Sequence, residues 1–239
     1  MRLFNGLHIR VYPGCDTSPS ALYYSIPNGL HISFLRKYLN GGTFVDVGAN
    51  VGLVSLLVAD KVEHAILFEP NPAAVKRAKE NLAINHLTFE VVAQALSDAD
   101  GTIEFENAGN VNSCNRTVEG FTAAVPTITV RRTAFDQFLR QHTALPPISA
   151  VKIDVEGHEN SVLRGMKEFL RHQRPKLLMF EYLQRTNILE ALGLFKDVGY
   201  SVFEISPDGA RIATDRVAPL QDLFACPDEI AAEIAELKR

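Results

Sequence analysis

The run Phe44-Val45-Asp46-Val47-Gly48-Ala49-Asn50-Val51-Gly52 constrains this chain more than any other segment. An apolar strand, Thr43 to Val47, carries an acid and leads into a tight glycine turn. An apolar helix, Val51 to Asp60, follows. A second strand, His64 to Phe68, delivers another acid, Glu69, and then Pro70-Asn71-Pro72. Strand, glycine turn, helix, strand and acid form the layout of a Rossmann-like unit holding an adenosine. The turn approaches the ligand and the second acid takes the ribose hydroxyls.

The details select the ligand. A dinucleotide site wants G-x-G-x-x-G, because its second glycine lets the backbone approach a pyrophosphate. Here that position is Asn50 and the third is Leu53. Asp46 would crowd an anion but suits a cationic ligand with an α-amino group. The pattern therefore favours S-adenosylmethionine over a nicotinamide dinucleotide. The expected cofactor contacts are Asp46, Gly48, Ala49, Asn50, Gly52, Glu69, Pro70 and Asn71. Gln94, Ala95 and Leu96, after a third strand (Thr88 to Ala93), should border the adenine.

Composition narrows the class. The 239 residues fit one α/β domain with additions, and 24 basic against 28 acidic residues give a net charge of −4. That balance disfavours a nucleic-acid binder. Cys15, Cys114 and Cys226 are far apart and show no metal-ligand spacing, as expected of free thiols in a reducing cytoplasm. No apolar run reaches the roughly 20 residues of a membrane span.

Residues 1–42 read as a lead-in or cap. Within it Leu7 to Tyr12 alternates like a short strand, and Ile32, Leu35 and Leu39 fall at helical spacing before Asn40-Gly41-Gly42. Residues 43–239 read as the Rossmann-like domain. Asn71 can cap a helix with Pro72 in its first turn. Residues 98–132 break the rhythm as an inserted hairpin or flap, with a polar loop, Asn107 to Asn115 and Arg116, suited to sugar hydroxyls. Further strands are expected at Ile148 to Ile153, Pro175 to Phe180, Tyr200 to Ile205 and Leu220 to Ala225. Helices are expected at Ala134 to Gln141, His158 to Leu170, Ile188 to Val198 and Asp228 to Arg239. The fold class is thus α/β, a mostly parallel seven-stranded sheet with helices on both faces. Its ligand edge is at the carboxyl ends of the strands.

Val45 to Gly52, Phe68-Glu69-Pro70-Asn71, Ala95-Leu96-Ser97-Asp98 and Lys152-Ile153-Asp154-Val155-Glu156-Gly157-His158-Glu159 resemble the FkbM-type family of S-adenosylmethionine-dependent methyltransferases. The resemblance spans roughly residues 40 to 182. It implies a class I methyltransferase fold and methyl transfer to oxygen, often a sugar or secondary-metabolite hydroxyl.

A hydroxyl acceptor needs a base or a metal near it. The expected catalytic candidates are Asp154, then His158, then Glu181, at the ends of the fourth and fifth strands. The pattern assigns no metal ligands, although Asp154 and Glu181 could share a hard cation such as Mg²⁺. Glu156 and Glu159 read as structural acids. Tyr23 and Tyr24 could close over cofactor or sugar. The expected partner is a small-molecule or glycan acceptor. The competing readings are a non-catalytic S-adenosylmethionine-binding protein and a nicotinamide-dependent oxidoreductase.

Overall fold

A computed structural model of the chain describes residues 1–12, 29–106 and 126–236. Helix α1 (Leu30–Tyr38) precedes β1 (Thr43–Val47), α2 (Leu53–Val58), a short 3-10 turn (Ala59–Lys61), β2 (His64–Phe68), α3 (Pro72–Ala83) and β3 (Glu90–Val92). Then come β4 (Ala95–Ser97), β5 (Gly101–Glu106), β6 (Thr127–Ala134), α4 (Phe135–Gln141), β7 (Ile148–Ile153), α5 (Glu159–Gly165), α6 (Lys167–His172) and β8 (Leu177–Tyr182). The chain continues through α7 (Ile188–Asp197), β9 (Tyr200–Ser206), β10 (Gly209–Ile212), β11 (Gln221–Pro227) and α8 (Asp228–Glu236).

The main sheet runs β10-β9-β11-β8-β7-β1-β2-β3. The pairs from β3 through β8 are parallel, whereas β11 is antiparallel to both β8 and β9. Strand order reverses beside β1, which places a switch point between β1 and β7. Alternating side chains of the buried strands feed two cores. Phe44, Leu67 and Met179 pack under α1, α2 and α3, while Val45, Phe68, Val151 and Phe180 pack under α4 to α7. This two-sided burial makes the strands read as continuous apolar runs.

All seven expected strands are in this sheet, and an eighth, β10, joins its edge. Four residues long, β10 pairs with β9 alone across the two-residue Pro207-Asp208 turn, and Ile212 is exposed, so it carries little apolar signal. The expected hairpin is present as the antiparallel β5–β6 pair. β4 adds parallel to β6, making a separate three-stranded sheet that the sequence pattern did not suggest.

Two expectations are corrected. Leu7 to Tyr12 does not form a strand: the segment makes one bridge, Arg2 with His8. Its backbone instead meets amide side chains on and just beyond α3, His8 N–H to Asn85 and Arg10 N–H to Asn81 at 2.7 and 2.8 Å. The helix expected at His158 to Leu170 is two helices that part at Met166. Gly165 lies so close to β4 that a Cβ there would come within 1.9 Å of the Ser97 carbonyl oxygen. Asp136 starts the second piece by accepting from the Glu168 and Phe169 N–H groups at 3.0 and 2.8 Å. Val162, Met166, Phe169 and Leu170 all stay buried, so the apolar periodicity survives the break.

Candidate active site

At the β1 end, the backbone turns left-handed at Gly48 (φ 73), Asn50 (φ 51) and Gly52 (φ 81), where α2 begins. Glycine at 48 is dictated by the neighbouring strand: a Cβ would sit 1.8 Å from the Asp154 carbonyl oxygen. The turn therefore packs against the end of β7 at the switch point. The Asn50 Oδ1 is buried with no hydrogen-bond partner among the described residues.

At the end of β2, the nearly buried Glu69 accepts the Asn50 N–H through Oε2 and the Asn71 N–H through Oε1, both at 2.8 Å. Each oxygen keeps a lone pair for a further donor. Burial pushes the carboxyl up to about 7, opposed by those two N–H groups and by Lys152. Asn71 also caps α3, its Oδ1 accepting from the Ala73 N–H at 2.9 Å, with Pro72 in the first turn as expected. Pro70 is half-buried beside it. Gln94 is half-buried at the β3–β4 junction, whereas the Ala95 and Leu96 side chains belong to apolar clusters. Ala49 is likewise buried in the core.

Asp46 departs from its expected place. It has no exposed surface, and its Oδ2 accepts the Ser55 hydroxyl at 2.7 Å and the Ser55 N–H at 3.2 Å. Its other oxygen faces the Lys152 ammonium at 3.4 Å. Asp46 and Lys152 are register partners on adjacent parallel strands, so they share a sheet face. The Lys152 Nζ also donates to the Gly48 carbonyl at 3.0 Å and pairs with Asp154 at 3.1 Å. Burial works to lower its pKa, but Asp154 and Asp46 raise it more, and the balance is upward. Sequence reasoning gave Lys152 no role. The signal available was an unpaired lysine inside an otherwise apolar strand, which a buried parallel sheet tolerates only with partners.

Beyond β7, Asp154, Glu156 and Glu181 offer oxygens within 4.8 Å of one another. The spacing is open to a hard cation and equally raises the proton affinity of the members. Glu181, pushed up to about 9 by burial and then by Asp154 and Glu156, has one buried oxygen without a hydrogen bond among the described residues. Burial and Asp154 push Glu156 up to about 7, against its Arg185 ion pair. Glu159 is fully buried and closes the turn between β7 and α5, accepting the Gly157 and Val155 N–H groups at 2.9 and 3.2 Å.

His158 is not part of this cluster. It is buried, with Nε2 3.0 Å from the Ser97 hydroxyl at the end of β4. Asp154 and Glu181 are thus brought together as expected, and His158 is turned toward the small sheet. Asn107 to Arg116, Tyr23, Tyr24, Cys15 and Cys114 lie outside the described residues, while Cys226 is a buried free thiol. No described helix is long and apolar enough to cross a membrane.

Comparison with known proteins bears on the family and the fold. The hexuronic acid methyltransferase AglP of Haloferax volcanii is 32% identical over 126 residues, 53% of this chain and 50% of that protein. The chain therefore spans about half the length of that relative. The crystal structure of the methyltransferase FkbM from Methylobacillus flagellatus superposes with a TM-score of 0.50 at 15% identity, covering 78% of this chain and 43% of that one. That likeness shows the Rossmann-like methyltransferase fold. The sequence profile described as "Methyltransferase FkbM domain" matches residues 46–202, which takes in the end of β1, the glycine turn, Glu69 and the Asp154–Glu181 cluster. The chain belongs to the FkbM methyltransferase family.

Proposed function

We propose that the chain is an S-adenosylmethionine-dependent methyltransferase acting on an oxygen of a sugar or secondary-metabolite hydroxyl. One observation carries the reading. Glu69 and the Asp154–Glu156–Glu181 cluster flank the β1–β7 switch point, and Lys152 ties the two sides together. The cofactor fits the residues on its side. The two open lone pairs of Glu69 suit vicinal ribose hydroxyls, and the orphaned Asn50 oxygen suits a donor on the ligand. Gly48, Gly52, Pro70, Asn71 and Gln94 shape the rest of the cradle. Buried Asp46 contributes indirectly, by holding Lys152 and the start of α2.

When bound, the sulfonium supplies an electrophilic methyl group. The protein's tasks are to align the acceptor oxygen and manage its proton. Asp154 is 40% exposed and faces the open edge, so it can bond an acceptor hydroxyl. Burial and the neighbouring Asp154 and Glu156 raise the proton affinity of Glu181, which favours a carboxyl that donates to a ligand over one that deprotonates it. The excess of carboxylates favours a cationic cofactor over a polyphosphate.

The AglP likeness favours a second acceptor atom. A hexuronic acid also carries a carboxylate oxygen, whose methylation gives an ester and needs no base. Calorimetric titration with S-adenosylhomocysteine, with NAD as control, is the first test. Saturable binding of the first alone is expected, whereas binding of NAD alone would overturn the cofactor reading. Methyl glucoside and methyl glucuronoside then serve as acceptors. An alkali-stable ether supports hydroxyl transfer, and an alkali-labile ester supports carboxylate transfer.

A further inference from the structure

The lead-in helix α1 reaches the ligand edge at its first turn. Its C-terminal end hands the chain to the start of β1 through residues 39–42, so its N-terminal end lies toward the carboxyl ends of the parallel strands. There the His31 Nδ1 lies 3.0 Å from Asp222 Oδ2. Asp222 is remote in sequence from the glycine turn, Glu69 and the Asp154 segment. It arrives because β11 runs antiparallel to β8, which sets Asp222 opposite Glu181 in register. That pairing sets it next to the carboxylate cluster, of which Glu181 is a member.

The pair has the chemistry of an oriented base. A carboxylate on Nδ1 fixes the imidazole with its N–H toward Asp222 and leaves Nε2 with a basic lone pair. The ring makes no other hydrogen bond among the described residues, and a quarter of its side chain is exposed. The edge of the Phe224 ring, 5.8 Å between centroids, packs against it. The other candidates at this edge are engaged. Asp154 pairs with Lys152, Glu156 with Arg185, and Glu181 is crowded by the Asp154 and Glu156 carboxylates, which raise its proton affinity.

Resting on the hydroxyl-transfer reading above, we propose that His31, positioned by Asp222, is the base that takes the acceptor's proton. The hydroxyl oxygen forms its bond to the methyl carbon with a lone pair. The carbon–sulfur bond breaks with its electrons left on sulfur, and the O–H proton passes to His31 Nε2. The resulting imidazolium is stabilised by Asp222 and releases its proton to solvent. His31 is then a catalytic residue and Asp222 a positioning residue.

The test uses the full chain with S-adenosylmethionine and methyl glucoside or methyl glucuronoside as acceptor. His31→Ala is expected to lower kcat by about 10²- to 10⁴-fold. S-adenosylhomocysteine affinity should stay within about threefold of the wild type. Added imidazole should restore His31→Ala turnover by about tenfold or more, a rescue that a packing role would not give. Asp222→Asn should lower kcat with little change in KM. His31→Gln, which can keep the contact to Asp222, should be as inactive as His31→Ala and covers the case in which the alanine variant misfolds. Turnover of His31→Gln or His31→Ala within about threefold of the wild type would overturn the assignment. So would parallel loss of cofactor binding and turnover without imidazole rescue. An alkali-labile ester product would also overturn it while leaving methyl transfer intact. Failure of the wild type to methylate either acceptor would instead remove the acceptor reading, and this assignment with it.

Discussion

A lysine with 4% of its surface exposed stays charged inside this sheet because three oxygens face it, on Asp46, Gly48 and Asp154. Lys152→Met would leave Asp46 buried and uncompensated. It is expected to cost about 3–5 kcal/mol, measured by chemical denaturation. Glu181 provides the opposite case. Its folded pKa of about 9 is above the ordinary 4.5, so its protonated form is favoured by folding. That contribution is complete below about pH 4.5 and is lost as pH rises through about 9. Glu181→Gln keeps the shape without the charge. Its thermal midpoint should therefore match the wild type near pH 5 and exceed it at pH 9, by about 2–4 °C per kcal/mol relieved. A larger loss for the variant at pH 9 than at pH 5 would contradict the assignment of the raised group.

At the scale of elements, two glycines make contrasting predictions. Gly48→Ala places a Cβ 1.8 Å from the Asp154 carbonyl oxygen and forces an alanine to φ 73. It should cost at least about 3 kcal/mol and pull β1 from β7. Gly193 lies exposed in α7, with nothing within 4 Å of the point where a Cβ would stand. Gly193→Ala should therefore stabilise by about 0.5–1 kcal/mol through helix propensity alone. Denaturation midpoints of the two variants check both signs. The same contrast shows what a sequence discloses. The glycine turn, Asn71 cap and apolar strands were legible because each is a local rule of backbone sterics, capping or burial. The split at Met166 and the β4 addition were not. The split goes with Gly165 meeting Ser97, 68 positions apart, and β4 is held by pairing with Arg132 to Ala134, contacts that no local pattern encodes.

The site follows the same division at the scale of the whole molecule. Glu69, Asp154 and Glu181 were legible because parallel strands end on one edge. The burial of Asp46, the turning of His158 toward Ser97 and the arrival of Asp222 beside Glu181 were not, because sheet order and register decide them. Ligand binding should report on the assembled molecule. A ligand held at 100 times its dissociation constant adds about 2.7 kcal/mol of stability. With Glu69 as the proposed ribose contact, that gain is expected to depend on pH. With its carboxyl pushed up to about 7, the free protein is stabilised through Glu69 at low pH and loses that contribution as pH rises through about 7. On the proposed cofactor reading, the ribose hydroxyls donate to Glu69 and need its ionised form, so S-adenosylhomocysteine should bind more tightly above pH 7 than below it. The ligand-induced rise in thermal midpoint, at fixed ligand concentration, is therefore expected to be larger at pH 8 than at pH 6. In Glu69→Ala the rise should shrink at both values and lose its pH dependence. A pH-dependent rise that persists in Glu69→Ala would place the ribose against another group.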